Sequence, residues 1–494
     1  MPRMKRQGKT RRKPIGPAAH NVKNTHRRNG KKQALSSSRL NRTTFRTSRE
    51  MDFFSEKELV TQTGHEVSDW PLVFVKELID NSLDACEEEI DVAPIIDVAA
   101  DTTGITVRDN GPGLPEKTLQ AAMDFTIRAS NREAYVAPDR GAQGNALKTI
   151  LPMPVVVEPE HGKLIVQAHG RRHVITCGSD PISQRAVIHD DTSELQTVGT
   201  EVRIEWSPKE AGGILVWPFN GLEPTAASLW CPSFSDRFRA LVEGFALFNP
   251  HATFRLDWFG DKTTWAATDP DWQKWKPHQP TSCHWYELVH LERLVGAYIT
   301  HDKDAGADRF VSDFIAEFDG LTGSGKRSKV LDEANLKRVK LSEFVVGERL
   351  DSDRVAKLLA AMQTHTRPIK PGRLGIIGEE HLRARLLAMG VKEESFSYSK
   401  KLSRDGLPCV LESAFGWLGD ESEDSRRIFA GANWSAAIKN PFRSFGSTGE
   451  GLEAALNQQR AGRNEPIVFV LHLAHPRVEY VDRGKSALVI GGAE

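Results

Sequence analysis

The sequence predicts an α+β fold in three parts, and three observations predict it. Residues 69–89 carry helical periodicity, with Leu72, Val75, Ile79, Leu83 and Cys86 at spacings of three and four. Short β-like runs follow at 95–98, 105–107, 155–157, 164–166, 173–176 and 201–206. From 291 to about 387 the pattern is mostly helical, and after 408 strands and helices return, with apolar runs at 409–415 and 467–474. Such mixing suits helices laid on one face of a sheet.

The 494 residues exceed one ordinary core. The reading divides them into a basic arm (1–50), a first α+β domain (51–260), a mostly helical middle (261–390) and a second α+β domain (391–494). A helical pattern at 235–247 ends at Asn249-Pro250-His251, because the residue before a proline is pushed out of the helical region. Residues 255–290 hold Trp258, Trp265, Trp272, Trp275 and Trp285, read as core or edge packing.

The net charge of zero conceals an asymmetry. Residues 1–49 hold 16 Lys and Arg and no Asp or Glu, leaving 50 basic and 66 acidic side chains in the remainder, a balance of −16. The arm reads as disordered. Its charge suits phosphate contact with DNA or RNA; a solubilising tail, or a start codon misassigned ahead of Met51, fits the same composition. The five cysteines are scattered and form no CxxC pair, which argues against a disulfide framework or zinc site and for a reducing, cytoplasmic home. No apolar run approaches the length needed to cross a bilayer.

Three segments carry chemistry. In the first, residues 76–85, Glu77, Asn81 and Asp84 share one helical face at spacings of four and three. Hydrolysis of a γ-phosphate needs a carboxylate to orient water and an oxygen ligand for Mg²⁺; Glu77 and Asn81, one turn apart, can supply both. A solvated polar face has the same pattern. The second segment is Asp109-Asn110-Gly111-Pro112-Gly113, an acidic turn after a strand. Asp109 could accept a hydrogen bond from an exocyclic amine such as that of adenine, or the stretch is a plain β-turn. In the third, a glycine-rich stretch (Arg140, Gly141, Ala142, Gln143, Gly144) leads into a helical pattern (Asn145, Ala146, Leu147, Lys148, Thr149). Backbone amides there would cradle phosphates, with Arg140 and Lys148 adding positive charge.

Together and in this order, the three segments resemble the N-box, adenine box and glycine-rich lid of the GHKL family of gyrase B, the heat-shock chaperone, histidine kinases and MutL. Gly199-Thr200-Glu201-Val202 resembles the family's last box. The resemblance implies a Bergerat ATPase sandwich that binds ATP and Mg²⁺. Glu77 would be the general base, Asn81 the magnesium ligand, and Asp109 and Thr200 the adenine contacts. Gly111, Gly113, Gly141, Gln143, Gly144, Asn145, Ala146, Leu147 and Lys148 would line phosphates and sugar, with Asp84 and Arg140 in the same site.

Within that family the sequence is similar to the B subunit of topoisomerase VI. The likeness rests on residues 77–88 (ELIDNSLDACEE), 249–252, 376–380 and 470–485 (VLHLAHPRVEYVDRGK). It implies a small helical insert, a βα transducer-like domain and Lys485 as a switch lysine on the γ-phosphate. It also implies a homodimer on ATP binding, acting as a clamp on DNA with a separate DNA-cleaving A-type subunit, and no membrane. The lid departs from the usual family form, with Asn145-Ala146-Leu147 in place of a further glycine, closer to MutL. The chain stops nine residues after Lys485, where the topoisomerase subunit continues into a long helix that grips its partner. The alternative is an ATP-dependent dimerisation or chaperone-like module without that partner. A phosphotransferase is disfavoured because no phospho-acceptor helix precedes the N-box. Residues 320–327 (GLTGSGKR) mimic a P-loop, but Arg327 stands where Mg²⁺ needs a hydroxyl, and a helical pattern precedes them.

Overall fold

Ser55 caps the first helix, α1 (Glu56–Thr63), through the amide of Glu58 at 3.3 Å, and Gly64 ends it in the left-handed region at φ 68°. The apolar stripe of residues 69–89 becomes α2 (Trp70–Glu88). Leu72, Val75, Ile79, Leu83 and Cys86 are all at most 1% exposed, and each aliphatic side chain so buried contributes about 1.5–3 kcal/mol. The molecule is a computed structural model that describes residues 49–88, 92–126, 134–140, 146–180, 182–183, 185–205, 232–276, 278–403, 406–419, 426–444, 450–481 and 487–489. The basic arm, but for its last two residues, lies outside that set.

After α2 come β1 (Ile95–Ala100), β2 (Gly104–Asp109), α3 (Glu116–Met123), α4 (Ala146–Ile150) and α5 (Met153–Val157). Next are β3 (Lys163–Ala168), β4 (Arg171–Asp180), β5 (Arg185–Glu194), β6 (Thr200–Glu205), α6 (Pro232–Phe248), β7 (Thr253–Trp258) and β8 (Asp261–Trp265). Among the described residues these strands form an eight-stranded sheet, ordered β5-β4-β3-β6-β2-β1-β7-β8. Every pairing is antiparallel except β1 with β7. Helix α2 packs on β1 and β2, so the face carrying Glu77 and Asn81 stands beside the end of β2.

One expectation fails. Residues 155–157, three consecutive valines read as a strand, lie in helix α5. Pro152 and Pro154 flank its first turn, where a missing N–H costs nothing and the fixed φ favours helix. Burial of Met153 and Val155 overrides the β preference of valine.

The middle of the chain holds α7 (Leu288–Asp304), α8 (Val311–Phe314), α9 (Ser324–Glu333), a small hairpin of β9 (Val345–Val346) and β10 (Arg349–Leu350), α10 (Ser352–His365) and α11 (Glu379–Ala388). Its helical character matches the sequence pattern. Then follow β11 (Ser397–Ser403), β12 (Cys409–Trp417), β13 (Arg427–Ala432), β14 (Ser435–Ala436), α12 (Leu452–Gln458) and β15 (Ile467–Ala474). The apolar runs at 409–415 and 467–474 are β12 and β15, neighbours in a second sheet ordered β11-β12-β15-β13-β14. Helix α6 touches β7 of the first sheet and β13 and β14 of the second. A Cβ on its Gly244 would stand 3.1 Å from the Ala436 methyl, so the small residue lets helix and strand approach. Trp258, Trp272, Trp275 and Trp285 are buried in the core, as their bland reading holds. No helix among the described residues is long and apolar enough to cross a membrane.

Candidate ATP site

Asp109 ends β2 with its carboxylate 5% exposed. It accepts hydrogen bonds from Ser82 Oγ on α2 at 2.9 Å, the Gly111 amide at 2.9 Å and the Thr200 amide at 3.0 Å. Burial pushes its carboxyl above the usual range against those three bonds. The backbone closes tightly around it. Gly199 has φ 76°, and a Cβ there would lie 2.0 Å from the Asp109 carbonyl oxygen. Gly113 has φ 94°, and a Cβ on Gly111 would meet the Asp109 carboxylate at 3.1 Å. These contacts join the N-box helix, the acidic turn and the Gly199-Thr200 box into one site.

Glu77 is half-buried and Asn81 exposed on α2, one turn apart. Lys76 Nζ stands 3.5 Å from Glu77 Oε1. A carboxylate and a neutral carboxamide oxygen are hard donors that suit Mg²⁺, which takes few protein ligands and keeps water. The donor set on α2, together with the buried Asp109 carboxylate and the glycine turns around it, fits a nucleotide with its magnesium.

The third segment divides. Gly141, Gln143, Gly144 and Asn145, and with them Lys485, lie outside the described residues. Ala146 opens α4, Leu147 is half-buried, and the Lys148 amine, whose charge burial disfavours, donates to the Asp124 carbonyl.

Arg140, expected to add positive charge near the phosphates, and Asp84, expected in the same site, are paired with each other in a buried ion network. The Arg140 guanidinium is fully buried, 2.7 Å from Asp84 Oδ1, 2.6 and 2.7 Å from the Glu87 oxygens, and 2.6 Å from Asn249 Oδ1. Glu87 also receives Lys274 Nζ at 2.7 Å and the His251 Nε2–H at 3.0 Å. Burial opposes the Glu87 charge, yet Arg140 and Lys274 outweigh it and hold its carboxyl well below the usual range. Two carboxylates thus balance two cations. Asn249 donates onward to the carbonyls of Phe245 and Trp434, and Lys274 lies over the Trp434 ring at 4.6 Å. The network ties α2, the base of the lid, the helix break after α6 and the second sheet. In the sequence, Asn249 and His251 stood out as a helix break and within the 249–252 likeness, and Glu87 within the 77–88 likeness, none of them as part of an ion network, and nothing marked Lys274.

The glycine-rich decoy is structural. Gly323 precedes α9, a 3-10 turn and not a strand comes before it, and Arg327 Nη1 donates to the Ser312 carbonyl at 3.2 Å.

Known proteins bear on this geometry. Residues 71–150 match the family described as Histidine kinase-, DNA gyrase B-, and HSP90-like ATPase. The chain carries a GHKL ATPase module. The matched span contains α2, Asp109, Gly111, Gly113, Arg140 and Lys148, and ends at α4. Over 122 residues, 23% of the chain, the sequence is 32% identical to the DNA mismatch repair protein MutL of Beijerinckia indica subsp. indica; the stretch is 19% of that protein's length. The chain thus matches about a fifth of this curated relative. Among solved structures, the Aquifex aeolicus MutL ATPase domain complexed with ADP is 12% identical, covering 81% of this chain and 89% of that one, at a TM-score of 0.28. The ATPase domain of the Aquifex aeolicus mismatch repair endonuclease MutL is 11% identical, covering 82% and 89%, at a TM-score of 0.30. The curated relative carries a MutL name, a different GHKL branch from the topoisomerase VI B subunit.

Proposed function

We propose that the chain is an ATP-binding and ATP-hydrolysing subunit that closes as a homodimer on DNA, with Glu77 as general base. The observation that carries this reading is the buried Asp109 carboxylate, fixed by Ser82, Gly111 and Thr200 beside a helix that presents Glu77 and Asn81. Asp109 recognises the exocyclic amine of adenine. Asn81 offers its carboxamide oxygen to Mg²⁺, which when bound neutralises charge on the phosphate oxygens. Glu77 takes a proton from the attacking water and aligns it with the γ-phosphorus. Gly141, Gln143, Gly144 and Asn145 would line the phosphates and sugar, and Lys485 would be the switch lysine for the γ-phosphate, as the family resemblance implies. Because nucleotide drives closure, it must bind the closed dimer more tightly than the open chain. The basic arm adds phosphate contacts with DNA. In this scheme residues 51–260 form the ATPase domain, 261–390 the helical middle and 391–494 the transducer.

Two settings suit such a clamp. One is strand passage with an A-type cleaving subunit, supported by the resemblance of residues 77–88, 376–380 and 470–485 to the topoisomerase VI B subunit. The other is a MutL-like or chaperone-like ATP-dependent dimerisation module, supported by the 32% identity to MutL. Steady-state ATPase assays of wild type and Glu77→Ala test the shared chemistry. The variant is expected to retain ATP and lose turnover; equal turnover would refute the assigned base. Relaxation of supercoiled plasmid only when a cleaving subunit is added separates the two settings.

A further inference from the structure

Lys76 precedes the proposed base and is 7% exposed. Its ammonium lies 2.8 Å from Asp80 Oδ2 and 3.5 Å from Glu77 Oε1, so one cation serves two carboxylates on α2. Asp80, 3% exposed, has a second partner from far along the chain: Ser435 Oγ on β14 donates to the same Oδ2 at 2.7 Å. His65, Lys439 and Tyr480 line the same cleft as Lys76 and Ser435. Burial disfavours the Lys76 charge, and the Asp80 and Glu77 carboxylates outweigh it, holding the amine above the ordinary lysine range.

We propose that Lys76 and Asp80 are positioning residues for Glu77, and that the Ser435 hydroxyl makes their geometry depend on the docking of the second sheet against α2. The inference rests on Glu77 as the base. The physics is a competition for one ammonium. With Ser435 in place, Asp80 shares its negative charge between a hydroxyl and Lys76, and the amine remains within reach of Glu77. With β14 withdrawn, or its hydroxyl removed, Asp80 loses one hydrogen bond at this oxygen and draws the amine more strongly, away from Glu77. Glu77 then loses the 3.5 Å contact with Lys76 that helps to orient it. Sheet position is thereby read at the carboxylate that handles water, by a route that runs through side chains at 2.7, 2.8 and 3.5 Å.

The test compares kcat, the KM for ATP and the urea midpoint for wild type, Glu77→Ala, Ser435→Ala and Ser435→Thr. Ser435→Ala is expected to lower kcat about tenfold, the effect of roughly one hydrogen bond to a charged group, with KM within about twofold. Ser435→Thr, which keeps the hydroxyl, restores kcat. If Ser435→Ala folds poorly, the near-isosteric Asp80→Asn reads the same link, with kcat falling and KM holding. Wild-type kcat in Ser435→Ala, or equal losses in the alanine and threonine variants, would overturn the inference while leaving the base assignment intact. Wild-type turnover that Glu77→Ala does not abolish would instead remove the ATPase reading and the inference with it.

Discussion

Asp109 depends on Gly199 in a way that a single methyl group exposes. An alanine at 199 would carry a Cβ 2.0 Å from the Asp109 carbonyl oxygen and must hold φ near 76°, where L side chains are strained. Gly199→Ala is therefore expected to cost about 1–3 kcal/mol of stability and to weaken ATP binding at least about tenfold. Urea unfolding and nucleotide titration check the two parts; unchanged affinity would separate Gly199 from the site. At this scale much was legible. Asp109, Gly111, Gly113 and Thr200 are motif residues; the Gly111 and Thr200 amides meet the Asp109 carboxylate, and Gly113 takes the positive φ of the turn beside them. Ser82 was not legible, since a serine inside an amphipathic helix reads as polar face until the strand it touches is known. Arg140 and Asp84 were visible as charges, but a sequence cannot tell a cation aimed at phosphate from one neutralised by Glu87, which lies one turn beyond Asp84 on the same helix.

At the scale of elements, the ion network around Glu87 holds α2, the lid base, the Asn249 turn and β14's neighbourhood together without an apolar substitute. Removal of one partner leaves an uncompensated charge in a dry interior, which costs about 3–5 kcal/mol. Arg140→Ala is expected to lower the unfolding free energy by that amount and to reduce nucleotide affinity through the loosened lid base. A loss below about 1 kcal/mol in urea unfolding would show that the network is solvated and dispensable. Periodicity revealed α2, the middle helices and the two apolar strands, because burial on one face imposes a repeat. It failed at α5, where two prolines decide the geometry of five residues and three valines point the other way. It also could not reveal the parallel pairing of β1 with β7, which depends on register between segments about 158 residues apart.

For the whole molecule, two buried histidines bridge segments far apart in the chain. His472 Nε2, on β15, accepts the Trp434 amide N–H at 2.9 Å, and burial holds its pKa at about 3. His381, on α11, donates Nε2–H to the Leu247 carbonyl at 2.9 Å, and burial, aided by Arg385, holds it at about 4. Both are neutral in the fold, so their contribution is complete above about pH 6.5. As pH falls below that value the unfolded chain takes up their protons first. Stability then drains by about 1.4 kcal/mol per pH unit for each histidine, until the folded values of about 4 and about 3 are reached. Urea midpoints measured from pH 7.5 to 4.5 should fall in this manner, and a flat profile would refute the assignment of both rings as neutral. The α+β class was legible from pattern alone. The continuity of one core through both sheets was not, because the sequence of α6 reads as an ordinary amphipathic helix and does not show that its apolar residues meet both sheets.

If Asp109, Glu77 and Asn81 surround one nucleotide, isothermal titration of the chain with a non-hydrolysable ATP analogue and Mg²⁺ will show it. Saturable binding of one nucleotide per chain is expected, abolished in Asp109→Ala and weakened when Mg²⁺ is withheld. Absence of binding by the wild-type chain, or equal binding by Asp109→Ala, would contradict that arrangement.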